Sequence, residues 1–119
     1  MIQSNIYSTL EFVELPRFTA IVTTLVTDED YRRFQNDLIE NPEKGDVIHG
    51  TGGFRKARMR LAGGGKSGGA RVIYLHLAHH DVIFLATLYK KSKREALSYN
   101  EKQNLKEAAR RIKTHFKLG

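Results

Sequence analysis

The spacing of apolar residues changes several times along the chain, and each change marks an element. Over residues 7–15, Leu10 and Phe12 alternate with Thr9, Glu11 and, less cleanly, Val13. That period of two is a half-buried strand, which Pro16 ends. From Arg17 the apolar residues are Phe18, Ile21, Val22 and Leu25, one stripe of an amphipathic helix. Its threonine-rich composition gives it little intrinsic helicity, so packing must hold it. Thr27 then precedes Asp28, Glu29 and Asp30, a cap followed by acids where the helix dipole favours them. Tyr31, Phe34, Leu38 and Ile39 form the buried stripe of this second helix, and Asn41-Pro42 closes it.

Residues 43–53 are rich in turn formers, with Val47 and Ile48 adding a little strand. Residues 54–61 alternate again: Ala57, Met59 and Leu61 on one side, Lys56, Arg58 and Arg60 on the other. A glycine-rich loop, 63–69, carries the single cation Lys66. Residues 70–78 are apolar on both faces, which predicts a central strand. His79-His80-Asp81 is a short turn, and 82–89 is a second two-faced strand, so the two form an antiparallel hairpin. Ser98 and Glu101 have capping-box spacing before a last helix. Leu105, Ala108, Ala109, Ile112 and Phe116 are its buried stripe; Lys102, Lys106, Arg110, Arg111 and Lys113 lie opposite.

The pattern predicts one α+β domain over residues 1–119. It has a twisted, mostly antiparallel sheet of about four strands, two N-terminal helices and a C-terminal helix. The helices are expected on one face of the sheet. The other face would be concave and carry Lys56, Arg58, Arg60 and Arg71.

Composition narrows the class. With no cysteine, disulfide frameworks and thiolate metal sites are excluded. Residues 1–5 are polar, unlike a signal peptide, and no apolar run approaches the ~20 residues that span a bilayer, so a cytoplasmic protein without membrane contact is expected. The net charge of +7 is uneven. Residues 1–54 hold four Lys/Arg and nine acids; residues 55–119 hold sixteen Lys/Arg and four acids. Between Arg55 and Arg71 there are six Lys/Arg and no acid. Such crowding is costly unless solvent or an anion separates the charges. A polyanion such as RNA fits, and a solubilising surface is the plainer alternative.

The other candidate chemistries are poorly supplied. His49, His76, His79, His80 and His115 are scattered without metal-ligand spacing, so no metal or cofactor is expected. No pair of carboxylates sits beside the basic stretch to hold two metals. Lys66-Ser67 leads to Gly68-Gly69 and a strand, not to the helix of a phosphate-binding loop. Cationic chemistry remains. RNA is cut without metal when its own 2′-hydroxyl attacks the adjacent phosphate. Arg and Lys stabilise the charge that builds up, Arg clamps phosphate oxygens in pairs, and a lysine crowded by cations can move a proton. Spacing alone does not separate cleavage from simple RNA binding or from contact with an acidic protein. Tyr74, Tyr89 and Tyr99 could stack on bases, although Tyr74 reads better as core.

Five segments in order carry a resemblance to the HigB branch of RelE-type toxins. They are Asn-Pro-Glu-Lys-Gly-Asp-Val-Ile (41–48), Gly-Thr-Gly-Gly-Phe-Arg-Lys-Ala-Arg (50–58), Gly-Lys-Ser-Gly-Gly (65–69), Ala-Arg-Val-Ile-Tyr (70–74) and Leu-Tyr-Lys-Lys (88–91). The likeness runs from about Asp28 to Ile112. It implies a ribosome-dependent mRNA endonuclease that cleaves the codon in the ribosomal A site and stops translation. It also implies a cognate antitoxin with a helix-turn-helix domain, through which the pair would meet promoter DNA. By the resemblance, Arg58 and Arg71 hold and polarise the scissile phosphate, and Lys91 is the basic group near the reacting centre. Lys90 and Lys93 compete with Lys91 for that place. Arg55, Lys56, Arg60, Lys66 and Lys93 are the expected RNA-gripping positions. Ser67 departs from the family, where a basic residue is frequent.

Overall fold

The computed structural model describes residues 9–62, 68–94 and 96–118. Their elements run β1 (Glu11–Glu14), α1 (Pro16–Leu25), α2 (Asp28–Glu40), β2 (Asp46–Val47), β3 (Arg55–Met59), β4 (Ala70–Leu77), a 3-10 turn (Ala78–His80), β5 (Val82–Lys90) and α3 (Tyr99–Leu118). The sheet has five strands in the order β1-β5-β4-β3-β2, one more than the alternation suggested. β4 is central, as its two apolar faces require. β1 joins β5 in parallel, Glu11 beside Val82 and Glu14 beside Leu85; the remaining pairs are antiparallel. The part of the expected first strand before Thr9 lies outside the described residues.

Local chemistry starts and stops the helices much as the spacing implied. Pro16 is in the first turn of α1, where its missing N–H costs nothing. The Thr27 hydroxyl accepts the Asp30 N–H at 3.0 Å. Ser98 and Glu101 form a reciprocal capping box: Glu101 Oε1 accepts the Ser98 N–H at 2.8 Å and Ser98 Oγ accepts the Glu101 N–H at 3.1 Å.

α1 and α2 bury Phe18, Val22, Phe34 and Leu38 against Ala57, Met59, Val72, Tyr74, Ile83, Leu85 and Leu88. Asp30, only 3% exposed, does more than favour the helix dipole. Its carboxylate accepts the Ala62 N–H at 3.1 and 3.2 Å and faces Arg33, so α2 is tied to the exit of β3. The expectation that all helices share one face is not met. α3 packs through Leu105, Ala108, Ala109, Ile112 and Phe116 on the other face, over Phe54, Ile73, Leu75 and Phe84. An apolar stripe shows that a helix must be covered; it does not show by which side of a sheet. No helix among the described residues is long and apolar enough to cross a membrane.

Candidate functional site

α3 covers only part of its sheet face. The far end of β3 stays open, where Arg58 is exposed, and Lys56, Arg71 and Lys91 are half-buried around it. Arg58 on β3 is the direct cross-strand partner of Arg71 on β4, whose other partner is Tyr89 on β5. Directly opposed residues point to the same face. Lys56 lies opposite Ile73 on that face. Arg71 is held from behind: Nη1 donates to the carbonyl of Gly68 at 2.6 Å and to that of Ala70 at 3.3 Å.

Lys91 arrives by way of a bulge. Ile73 pairs with Thr87 and Tyr74 with Leu85, so Ala86 is an extra residue in β5. Before it, Val82, Phe84 and Ala86 face α3 and Ile83 and Leu85 face α1–α2; after it, Leu88 faces α1–α2 and Tyr89 faces α3. The inserted residue thus turns Tyr89, and with it Lys91, toward Arg71, and turns Lys90 away. Gly68 records the result: a Cβ there would lie 3.1 Å from Lys91 Cδ and 3.7 Å from Arg71 Nη2. The Lys91 N–H donates to Gly69 O at 3.0 Å, closing the hairpin beside these side chains.

The expected positions therefore divide. Arg58, Arg71, Lys91 and Lys56 share one open face. Arg60 is exposed just past the end of β3, and Lys93 is exposed in the turn after β5. Lys66 lies outside the described residues. Arg55 stands apart, opposite Tyr74 and toward α2. Its guanidinium donates to the carbonyls of Glu43 and Gly45 at 3.2 and 2.7 Å, so it ties down the loop into β2. Tyr74 is core: its hydroxyl accepts the Gly45 N–H at 3.0 Å and donates to Pro42 O at 2.8 Å, and burial raises its pKa above the usual tyrosine value.

Arg94 is a neighbour that the sequence did not single out as part of the site. Its guanidinium lies 4.6 Å from the centroid of the Tyr89 ring, and Nη2 bonds Glu101 Oε2 at 2.8 Å. That bond, above all, holds the Glu101 carboxyl below its usual pKa. Arg94 thus braces the ring beside Arg71 and joins it to the first turn of α3. Its only signal in the sequence is membership of a cationic run.

Elsewhere, two of the histidines have other occupations. His76 Nδ1 is 3.6 Å from a Glu43 carboxylate oxygen, and the His80 ring packs on Phe116 at 4.8 Å. Among the described residues no group of three or more His, Cys, Asp or Glu could hold a metal ion. The open face can bind a phosphodiester with two guanidiniums and an ammonium, without a carboxylate or imidazole among the cross-strand neighbours of Arg71.

A solved structure, the archaeal RelE–RelB complex from Pyrococcus horikoshii OT3, is 29% identical to this chain, covers 72% of it and 99% of its own chain, and superposes with a TM-score of 0.47. The family model described as the RelE toxin of the RelE/RelB toxin–antitoxin system matches residues 31–117, which take in α2 after its first turn, the strands β2 to β5 and nearly all of α3. The chain belongs to the RelE toxin family, the toxin members of toxin–antitoxin pairs.

Proposed function

We propose that this toxin is a ribosome-dependent mRNA endonuclease of the HigB branch, which cuts the codon in the ribosomal A site and thereby stops translation. The carrying observation is that Arg58 and Arg71 oppose each other with Lys91 alongside, on the part of the sheet that α3 leaves open. In this reading Arg58 and Arg71 grip the non-bridging oxygens of one phosphate, and their fixed charges favour the phosphorane over the ground state. The 2′-oxygen attacks phosphorus and loses its proton to solvent. The bond to the 5′-oxygen breaks, and Lys91 donates the proton that oxygen needs. The products are a 2′,3′-cyclic phosphate and a 5′-hydroxyl end, with no metal or outside nucleophile.

The surroundings of Arg71 support the ribosome-dependent reading. With no carboxylate or imidazole among its cross-strand neighbours, catalysis leans on the geometry of the bound RNA. A strand held bent by the ribosome supplies that geometry. The antitoxin is expected to be a helix-turn-helix protein through which the complex meets promoter DNA. The test is primer extension on one transcript with and without translation. Cuts are expected only in the translated transcript and only with Arg71 and Lys91 intact. Full growth arrest by both Arg71→Ala and Lys91→Ala proteins would remove the assigned site. Ribosome binding with intact transcripts would leave a binding module.

A further inference from the structure

A recess of about 230 Å³ opens where the first turn of α1, the middle of β5 and the start of α3 meet. Arg58, Arg71 and Lys91 do not line it. Leu15, Leu97 and Leu105 wall it, and Ala86 and Thr87 line it from β5. It is smaller than a drug-sized site of roughly 300–1,000 Å³, so only a small molecule fits. Its charge is one-sided. Arg17 lines it from the first turn of α1, which holds no acid although the helix dipole would favour one there. Among the described residues no acid pairs with Arg17. The acids nearby are already engaged. Glu101, which also lines the recess, is bonded by Arg94 at 2.8 Å, and Glu14 accepts the hydroxyls of Thr19 and Tyr31. The recess also touches both supports of the Arg71 face. Ala86 is the inserted residue that turns Lys91 toward Arg71, and Glu101 holds the Arg94 that braces Tyr89.

We propose that this recess binds a small aliphatic monocarboxylate and that the bound molecule holds the Ala86 bulge in register. Its chain lies against Leu15, Leu97 and Leu105, and its carboxylate pairs with Arg17 at the mouth. One guanidinium matches one carboxylate, and the apolar walls match an alkyl chain. A ligand that fits only while Ala86 is looped out stabilises that arrangement over one with the bulge lost. Lys91 then stays on the side of Arg71. The binding stands by itself; its consequence for cleavage rests on the nuclease reading above.

The experiment titrates octanoate into the full chain and follows backbone amides by NMR. Octan-1-ol and octylammonium, of the same chain length, are the comparison probes. Saturable shifts are expected at Arg17, Ala86, Thr87 and Glu101. Octanoate is expected to bind about two- to fivefold more tightly than octan-1-ol, the scale of an exposed ion pair. Arg17→Gln, at an exposed position, is expected to keep the fold and abolish that preference. Hydrogen exchange of the Lys91 amide, which bonds Gly69 O, is expected to slow on saturation. Absence of saturable shifts overturns the proposal. So does equal affinity for the alcohol, a preference that survives in Arg17→Gln, or tighter binding of octylammonium, which would make Glu101 the partner. Shifts spread along the exposed lysines of α3 overturn it as well, since they mark an adventitious anion only. Unchanged exchange at Lys91 overturns the hold on the bulge. No RNA is present in these measurements, so failure of the nuclease reading would show in primer extension and not here.

Discussion

Arg58 and Arg71 stand directly opposite one another across the β3–β4 ladder, two guanidinium side chains on one open face. Like charges at opposed positions are unfavourable, by roughly 0.2–1 kcal/mol. A pair kept at that cost invites an anion between its members. Arg58→Ala is therefore expected to split stability from activity. The urea midpoint should hold or rise slightly, since repulsion is relieved at an exposed position. Cleavage of a translated transcript should fall by about 10²–10³, the loss typical when one donor to a developing oxyanion is removed. Reduced stability together with normal cleavage would assign Arg58 to the fold.

The bulge at Ala86 makes a sharper test, because it decides between adjacent lysines. With Ala86 counted in, Lys91 lies on the face of Arg71 while Lys90, paired with Ala70, points to the opposite face. Lys91→Ala should lower cleavage by about 10²-fold or more, the range for loss of a positioned proton donor, and Lys90→Ala should change it little. Primer extension in a translating extract reads both. The reverse ranking would mean that β5 reaches Lys90 without the extra residue, in a register shifted by one.

Much of this was legible in the chain, for reasons that differ by element. Alternation around Ala57 and Met59 identified β3 and its charged face, because a period of two leaves one side no other direction. The same parity places Arg55 with Ala57 and Met59, away from Arg58; its place among the expected RNA contacts came from the family likeness, and the period argues against it. The Thr27 cap and the Ser98–Glu101 capping box are local and were readable. The Ala86 bulge was not, since it ends the apolar run from Val82 to Ala86, in which no change of period marks it. The side of the sheet taken by α3 and the bond from Asp30 to Ala62 join residues far apart in sequence, which no local pattern encodes. Arg94 became visible only once Tyr89 and Glu101 were placed on either side of it.

That arrangement gives stability a pH dependence. Glu101 has a depressed carboxyl pKa in the folded chain, chiefly through its bond from Arg94. A depressed acid lends stability that is complete above its unfolded value of 4.5 and disappears as the pH falls through the folded value. Glu101→Gln keeps a residue able to complete the capping box and removes only the charge. The wild type should therefore be more stable than Glu101→Gln at pH 7, and the two should converge as acid is added below 4.5. The difference should be small, because the pair is partly exposed: 36% for the Arg94 side chain and 28% for that of Glu101. A gap that persists unchanged into acid would trace it to lost packing rather than to the ion pair.

The hairpin entrance offers a contrast between two glycines with similar backbones. Gly50 has φ +82° and nothing within 4 Å of where a Cβ would stand. Gly69 has φ +66°, and a Cβ there would lie 2.3 Å from Met59 O. Gly50→Ala meets only the left-handed backbone penalty, about 1–2 kcal/mol. Gly69→Ala meets that penalty and must also force β3 from the start of β4, since the obstacle is main chain that cannot rotate aside. Gly69 O also accepts the Lys91 N–H, so the displacement reaches Lys91 and Arg71. The urea midpoint should fall more for Gly69→Ala than for Gly50→Ala, and only the former should lose cleavage under conditions where both are folded. Equal midpoints would show that the strand ends yield to the added methyl group, and that the positions of Arg71 and Lys91 do not depend on this close approach of backbones.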